Sequence, residues 1–184
     1  MGGLATLATV LGLLALAAWA AAASHRAVVS ELRAAASHLR AAEAFEAAQG
    51  GLEFTLALLH AGPVDATCQP APGSAPAPSL AEQLVHAAAE LGCQRLDEGW
   101  ACRCPQPGAA EQAETAAAVA PGFRVEVMRV GTSDALRLRA TGRGSGGAAL
   151  ATVSVLVAPQ PGTSAPAWRQ VPGSWRDFST PLPA

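Results

Sequence analysis

An α+β fold, one long amino-terminal helix packed against a small antiparallel sheet, is what three features of this 184-residue chain predict. Residues 1–24 contain no charged side chain. Apolar positions then recur every three or four residues as far as Leu59, with no proline and no turn cluster between. Beyond residue 120, three segments alternate apolar and polar residues and are separated by glycine-containing turns, which is the pattern of half-buried strands.

About twenty apolar residues rising ~1.5 Å each match a hydrocarbon core ~30 Å thick, so residues 1–24 read as a transmembrane segment. Residues 25–60 continue the same helix in amphipathic form. Val28, Leu32, Ala35, Leu39, Ala42, Phe45, Ala48, Leu52, Leu56 and Leu59 form the stripe, with Arg33, Arg40, Glu43, Glu46 and Glu53 largely between them. Unbroken from Leu4 to Leu59, such a helix would be roughly 80 Å long. Gly50-Gly51 is its weak point, each glycine costing about 1 kcal/mol relative to alanine, and marks either a bend or a close approach. The expected face for packing on other helices is Val28, Leu32, Leu39, Phe45 and Leu52.

A cleaved secretory signal is the rival reading of the start, since Ala20 to Ala23 resemble a cleavage site. No basic region precedes the apolar run, however, and the run exceeds the usual ~7–15 residues. Cleavage would also strand the amphipathic continuation without a partner. Arg26, Arg33 and Arg40 follow the segment, which by the positive-inside rule places the carboxyl side in the cytoplasm.

The cysteines argue the opposite. Cys68, Cys93, Cys102 and Cys104 all lie beyond the membrane segment, an even set of the kind an oxidising compartment permits. Of the three pairings four cysteines allow, those joining each of Cys102 and Cys104 to one of Cys68 and Cys93 are favoured, because a direct Cys102 to Cys104 bridge would be strained. Free thiols in a cytosolic domain are the alternative. Cys102-x-Cys104 is a poor zinc signature, and no metal is expected.

Residues 61–79 are rich in proline, glycine, serine and alanine and read as an extended connector. Residues 80–158 then supply one small α+β domain. Ser79 and Glu82 form a capping box for a helix over Leu80 to Leu91, stopped by Gly92, and Ala109 to Ala120 suits a second short helix. Gln94 to Cys104 is a strand or a disulfide-pinned loop. The clear strands place Phe123, Val125 and Val127 opposite in facing to Arg124, Glu126 and Met128; Leu136, Leu138 and Ala140 opposite to Arg137, Arg139 and Thr141; and Ala151, Val153, Val155 and Val157 on one face of a third. Residues 159–184 form a tail whose Trp168 and Trp175 either cap this sheet or meet a partner.

Charge and chemistry narrow the function. The net charge is −2 and all twelve basic residues are arginine, leaving no overall basic surplus for phosphates, so nucleic-acid binding is not expected. His25, His38, His60 and His86 accompany no glycine-framed serine or cysteine. Gly142 to Gly147 lacks the lysine and hydroxyl of a phosphate loop. No catalytic residue, cofactor or enzymatic activity is expected.

Glu43-Ala44-Phe45-Glu46-Ala47-Ala48-Gln49-Gly50-Gly51-Leu52-Glu53, behind the apolar segment, resembles the amino-terminal signature of the PilX family of type IV pilus assembly proteins. The positions carrying the likeness are Glu43, Ala44, Phe45, Ala47, Ala48, Gly51 and Leu52. Thr141-Gly142-Arg143-Gly144 and Ser174-Trp175-Arg176 are similar more loosely to the family's carboxyl-terminal part. The resemblance implies a pilin-like fold and a minor pilin: a single-pass protein of the bacterial inner membrane, its carboxyl domain periplasmic, packing its helix on other major and minor pilins or pilus-assembly proteins. Three departures stand against the pattern. Met1-Gly2-Gly3 carries no basic leader, so the expectation is either a true start upstream, whose basic residues would fix the orientation, or no processing. The glutamate near the start of mature major pilins has no counterpart in Met1 to Ser24, and Gln49 stands where the family usually has glutamate. A minor pseudopilin of a type II secretion system and a signal-anchored periplasmic binding module are the alternatives.

Overall fold

The computed structural model describes residues 3–65, 68–69, 80–81, 91–104, 120–162 and 167–178. They divide into two compact units, Met1–Leu39 and Arg40–Ala184. Helix α1, Gly3–Ala61, contributes to both. It has no internal proline and is built largely of alanine and leucine, the strongest helix formers. Gly62, at φ 88°, ends it in the left-handed conformation that closes many helices, and Pro63 follows.

In the first unit the large apolar side chains described are exposed, from Leu7 and Leu11 through Trp19 to Leu39, except Val29, which is half-buried. Its serines are satisfied within the helix. The hydroxyls of Ser24, Ser30 and Ser37 donate to the carbonyls of Ala20, Ala27 and Ala34 at 2.7–2.9 Å, which removes the need for an outside acceptor.

The second unit sets the last turns of α1 against one face of a seven-stranded antiparallel sheet. The strands are β1 (Leu91–Leu96), β2 (Gly99–Arg103), β3 (Gly122–Arg129), β4 (Leu136–Arg143), β5 (Leu150–Pro159), β6 (Trp168–Gln170) and β7 (Arg176–Phe178). Their order is β2-β1-β3-β4-β5-β6, with β7 beside β6 on the same edge of β5. In register, Val125 faces Ala140 and Ala140 faces Val153, so the apolar sets of β3, β4 and β5 share one surface. Ala48, Leu52, Leu58 and Leu59 of α1 meet them in one core with Leu91, Leu136 and Leu138.

Glycine decides how closely the two layers approach. A Cβ on Gly142 would overlap the backbone of Ala44 and Ala48, and one on Gly144 the carbonyl of Arg40. Gly51 is the close-packed member of the Gly50-Gly51 pair: a Cβ there would lie 2.8 Å from the Phe123 ring, whereas Gly50 faces open space. The helix passes through both without a break.

The edge of β5 is completed in two pieces. Val157 to Pro159 pair with β6 and Thr152 to Ser154 with β7. At the gap, Val171 N–H donates to the Leu156 carbonyl at 2.8 Å, and Leu156 N–H donates to the Ser174 hydroxyl at 3.1 Å. A side chain thus replaces one rung of the ladder.

Several expectations are corrected. The compact unit begins at Arg40 rather than residue 80, because the helix supplies one wall of the core, and it does not end at residue 158, because β6 and β7 extend the sheet. Leu91 and Gly92 are strand, not the end of a helix, since Leu91 is fully buried opposite Val125. Leu80 and Ala81 are helical, but residues 82–90 and 105–119, with the remainder of both expected short helices, lie outside the described residues. So does most of the 61–79 connector.

Gly142→Ala should destabilise the fold by about 3 kcal/mol, at the upper end of overpacking costs, because the collision is with backbone. Gly50→Ala should instead add up to about 1 kcal/mol through helix propensity. Denaturant unfolding of the full chain in detergent distinguishes the two, and equal effects would contradict the layer spacing described.

Candidate assembly surface

The residues singled out by the sequence fall into two groups that the structure separates. Ala44, Ala48, Gly51 and Leu52 recur at four, three and one residues and so share one side of α1, the side against the sheet. Ala44 and Ala48 are fully buried and small enough to admit Gly142; Ala47 is half-buried beside them. Phe45 is half-buried, packed on the main core and on a small cluster of Ala44, Ala149 and Ala151.

Glu43 holds the hairpin between β4 and β5. Its carboxylate accepts from the Ser145 hydroxyl and, at 3.0 Å, from the Ser145 N–H. The turn is closed by Gly144 N–H donating to the Ala149 carbonyl at 3.1 Å. The Ser145 hydroxyl, then its N–H, hold the Glu43 carboxyl below its ordinary value; desolvation opposes them, and the nearby Arg40 charge adds a lesser lowering.

The expected assembly face is therefore divided. Leu52 is 2% exposed and Phe45 is half-covered, both engaged in the chain's own core, which corrects their assignment to contacts with other helices. Val28, Leu32 and Leu39 are 52%, 64% and 63% exposed. With Leu7 to Trp19 they make a helix surface that no described part of the chain covers, and the helix is long and apolar enough to span a membrane.

All four cysteines are oxidised, Cys68 to Cys104 and Cys93 to Cys102. Cys93 and Cys102 are directly opposite in the β1–β2 register, so this bridge crosses a hairpin. The other ties the connector to the end of β2. Cys68 itself sits at φ 62°, its N–H donating to the Asp65 carbonyl at 3.0 Å. No thiolate remains to ligate a metal.

Two contacts had no clear sequence signal. The His60 ring, at the end of α1, places Nε2 3.0 Å from the Trp168 amide nitrogen and 2.8 Å from its carbonyl oxygen, accepting from the first or donating to the second according to tautomer. This fastens β6 to the helix. Trp168 packs on the core, while Trp175 is 39% exposed. Phe123 links the helix to the hairpin, its ring centroid 5.9 Å from Phe54 and 5.7 Å from Trp100.

Removing the Cys68–Cys104 bridge, which spans 36 residues, should cost about 4 kcal/mol, and removing Cys93–Cys102, which spans 9, about 2.5 kcal/mol by loop entropy. Paired serine variants compared by chemical unfolding test the order. For Glu43 the sign follows from a lowered folded value. Its contribution is complete above the ordinary 4.5 and is lost as pH falls through the lower one. Glu43→Gln should thus be less stable than the parent at neutral pH, the difference shrinking as pH falls below 4.5; a pH-independent difference would remove the carboxylate from this role.

No protein-family model, curated protein or solved structure matches this chain.

Proposed function

We propose that this protein is a pilin-like structural subunit, anchored in a bacterial inner membrane by the first part of α1 and joining a type IV pilus, or its priming complex, by packing that helix laterally on other pilins. One observation carries the reading. Along a single helix, Ala44, Ala48, Leu52, Leu58 and Leu59 are buried against the chain's own sheet and Phe45, Phe54 and Leu56 are half-buried there, whereas Val28, Leu32 and Leu39 are left in the open.

Membrane lipid accounts for Leu7 to Trp19 but not for the charged stretch after Ser24, where Arg26, Glu31, Arg33 and Arg40 interrupt the apolar positions. A stripe of that kind suits neighbouring helices of similar make. Two disulfides support a periplasmic carboxyl domain. The residues of the PilX-like signature support a pilin-like architecture as well, since Ala44, Ala48, Gly51 and Leu52 form the joint between helix and sheet. The subunit acts by contact, not by catalysis.

Replacing Val28, Leu32 and Leu39 together by asparagine should reduce surface pili to the level of a deletion strain while the protein stays in the membrane fraction. Electron microscopy of pili alongside membrane immunoblots gives both readings. Normal piliation by that variant would end the proposal, and so would loss of the wild-type carboxyl domain to the cytoplasm in a reporter-fusion assay.

A further inference from the structure

The sheet surface turned away from α1 carries Arg137, Arg139 and Arg176 around an open cavity of about 550 Å³, with Met128, Leu156 and Ser154 among its walls. Strand register puts them there. Arg139 is opposite Ser154 on β5, and Ser154 is opposite Arg176 on β7. With neighbouring strands ~4.8 Å apart, the two arginines stand about 10 Å apart with Ser154 midway.

This surface is unfinished as it stands. Ser154 is only 8% exposed, and its hydroxyl has no hydrogen-bond partner among the described residues. Lining an open cavity, that hydroxyl is available to a polar group from outside. Arg176 is oriented by its Nη1, which donates to the carbonyls of Gly173 and Trp175 at 3.0 and 2.8 Å. Other guanidinium donors remain. Arg139 lies 3.7 Å from Glu126, but both side chains are about half exposed, and such a pair gives way readily to a better-placed carboxylate.

The opposite surface of the same unit has the complement. Glu46 and Glu53 are exposed on the back of α1, away from Ala44, Ala48 and Thr55, with no ion pair among the described residues. Seven residues apart on a helix, they are about 10.5 Å apart. Ala42, Gly50 and Ala57, exposed around them, are small enough to leave both carboxylates prominent. The two arginines and the two glutamates therefore agree in sign and in spacing.

We propose that Glu46 and Glu53 of a second copy of this chain dock on Arg139 and Arg176, a carboxylate reaching Ser154, with the helix of that copy lying across strands β4, β5 and β7. The inference deepens the pilin-like reading, on which it rests for the idea of a repeating assembly, but uses different residues from the lateral contact at Val28, Leu32 and Leu39. Donor and acceptor surfaces differ, so the contact is heterologous and can repeat without closing.

The test is sedimentation of the full chain in detergent at low salt and at about 1 M salt, where charges are screened beyond ~3 Å. Association should weaken at least about tenfold at high salt and in each of two variants, Arg139→Glu/Arg176→Glu and Glu46→Arg/Glu53→Arg, and an equal mixture of the two variants should recover it. Circular dichroism establishes that each is folded, with Arg139→Gln/Arg176→Gln and Glu46→Gln/Glu53→Gln as milder substitutes showing the same loss. Wild-type association in either variant, or a mixture that fails to recover it, overturns the docking contact. If the charge variants associate normally while the Val28, Leu32 and Leu39 variant does not, the docking contact falls and lateral packing stands; the reverse pattern supports the docking contact alone.

Discussion

The backbone-to-backbone approach of Gly142 to Ala44 and Ala48 is the constraint on which the second unit depends. It permits a single seating of α1 on the sheet, because one residue of slip along the helix turns the face by about 100° and removes both alanines from the contact. Once that seating is set, other contacts follow at helical intervals. Glu43 comes beside the β4–β5 turn, Gly51 comes under Phe123, and His60 arrives at β6. A larger residue at position 142 would disturb them together, since all are carried by one rigid element.

What could be read in the amino acids depended on whether burial left a period. β3, β4 and β5 were legible because the face toward the helix is apolar and the other polar, so Val125, Leu138 and Val153 alternate with Glu126, Arg139 and Ser154, even though Thr152 and Ser154 of β5 are buried as well. β6 and β7 were not, for three residues hold too little pattern, and the rung supplied by Ser174 has no local signature. Leu91 looked helical because Leu80, Leu84 and Ala88 precede it at helical spacing; its pairing with Val125 overrides that preference. The disulfide pairing was narrowed by the nearness of Cys102 and Cys104, and the choice between the remaining two depended on the β1–β2 register.

The helix shows a different limit. An apolar stripe looks the same in sequence whether its cover is the chain's own sheet or a neighbour's helix, so Phe45 and Leu52 could not be told from Val28 and Leu32 by spacing. The contacts made in the fold separate them. Ala44, Ala48 and Gly51 suit contact with backbone and flat rings, while the leucines and valine before residue 40 have no such small companion from the sheet. Net charge was equally uninformative, because a total of −2 conceals arginines gathered on one sheet surface and glutamates on the helix back.

The two cystine bridges are nested, the short one from 93 to 102 lying inside the long one from 68 to 104. Such an arrangement makes a closed covalent ring of the intervening stretch. A protease that severed the proline-rich run within it would open the ring without releasing a fragment, and both ends would stay tethered to the same folded body. Durability against proteolysis then rests on connectivity as well as on packing.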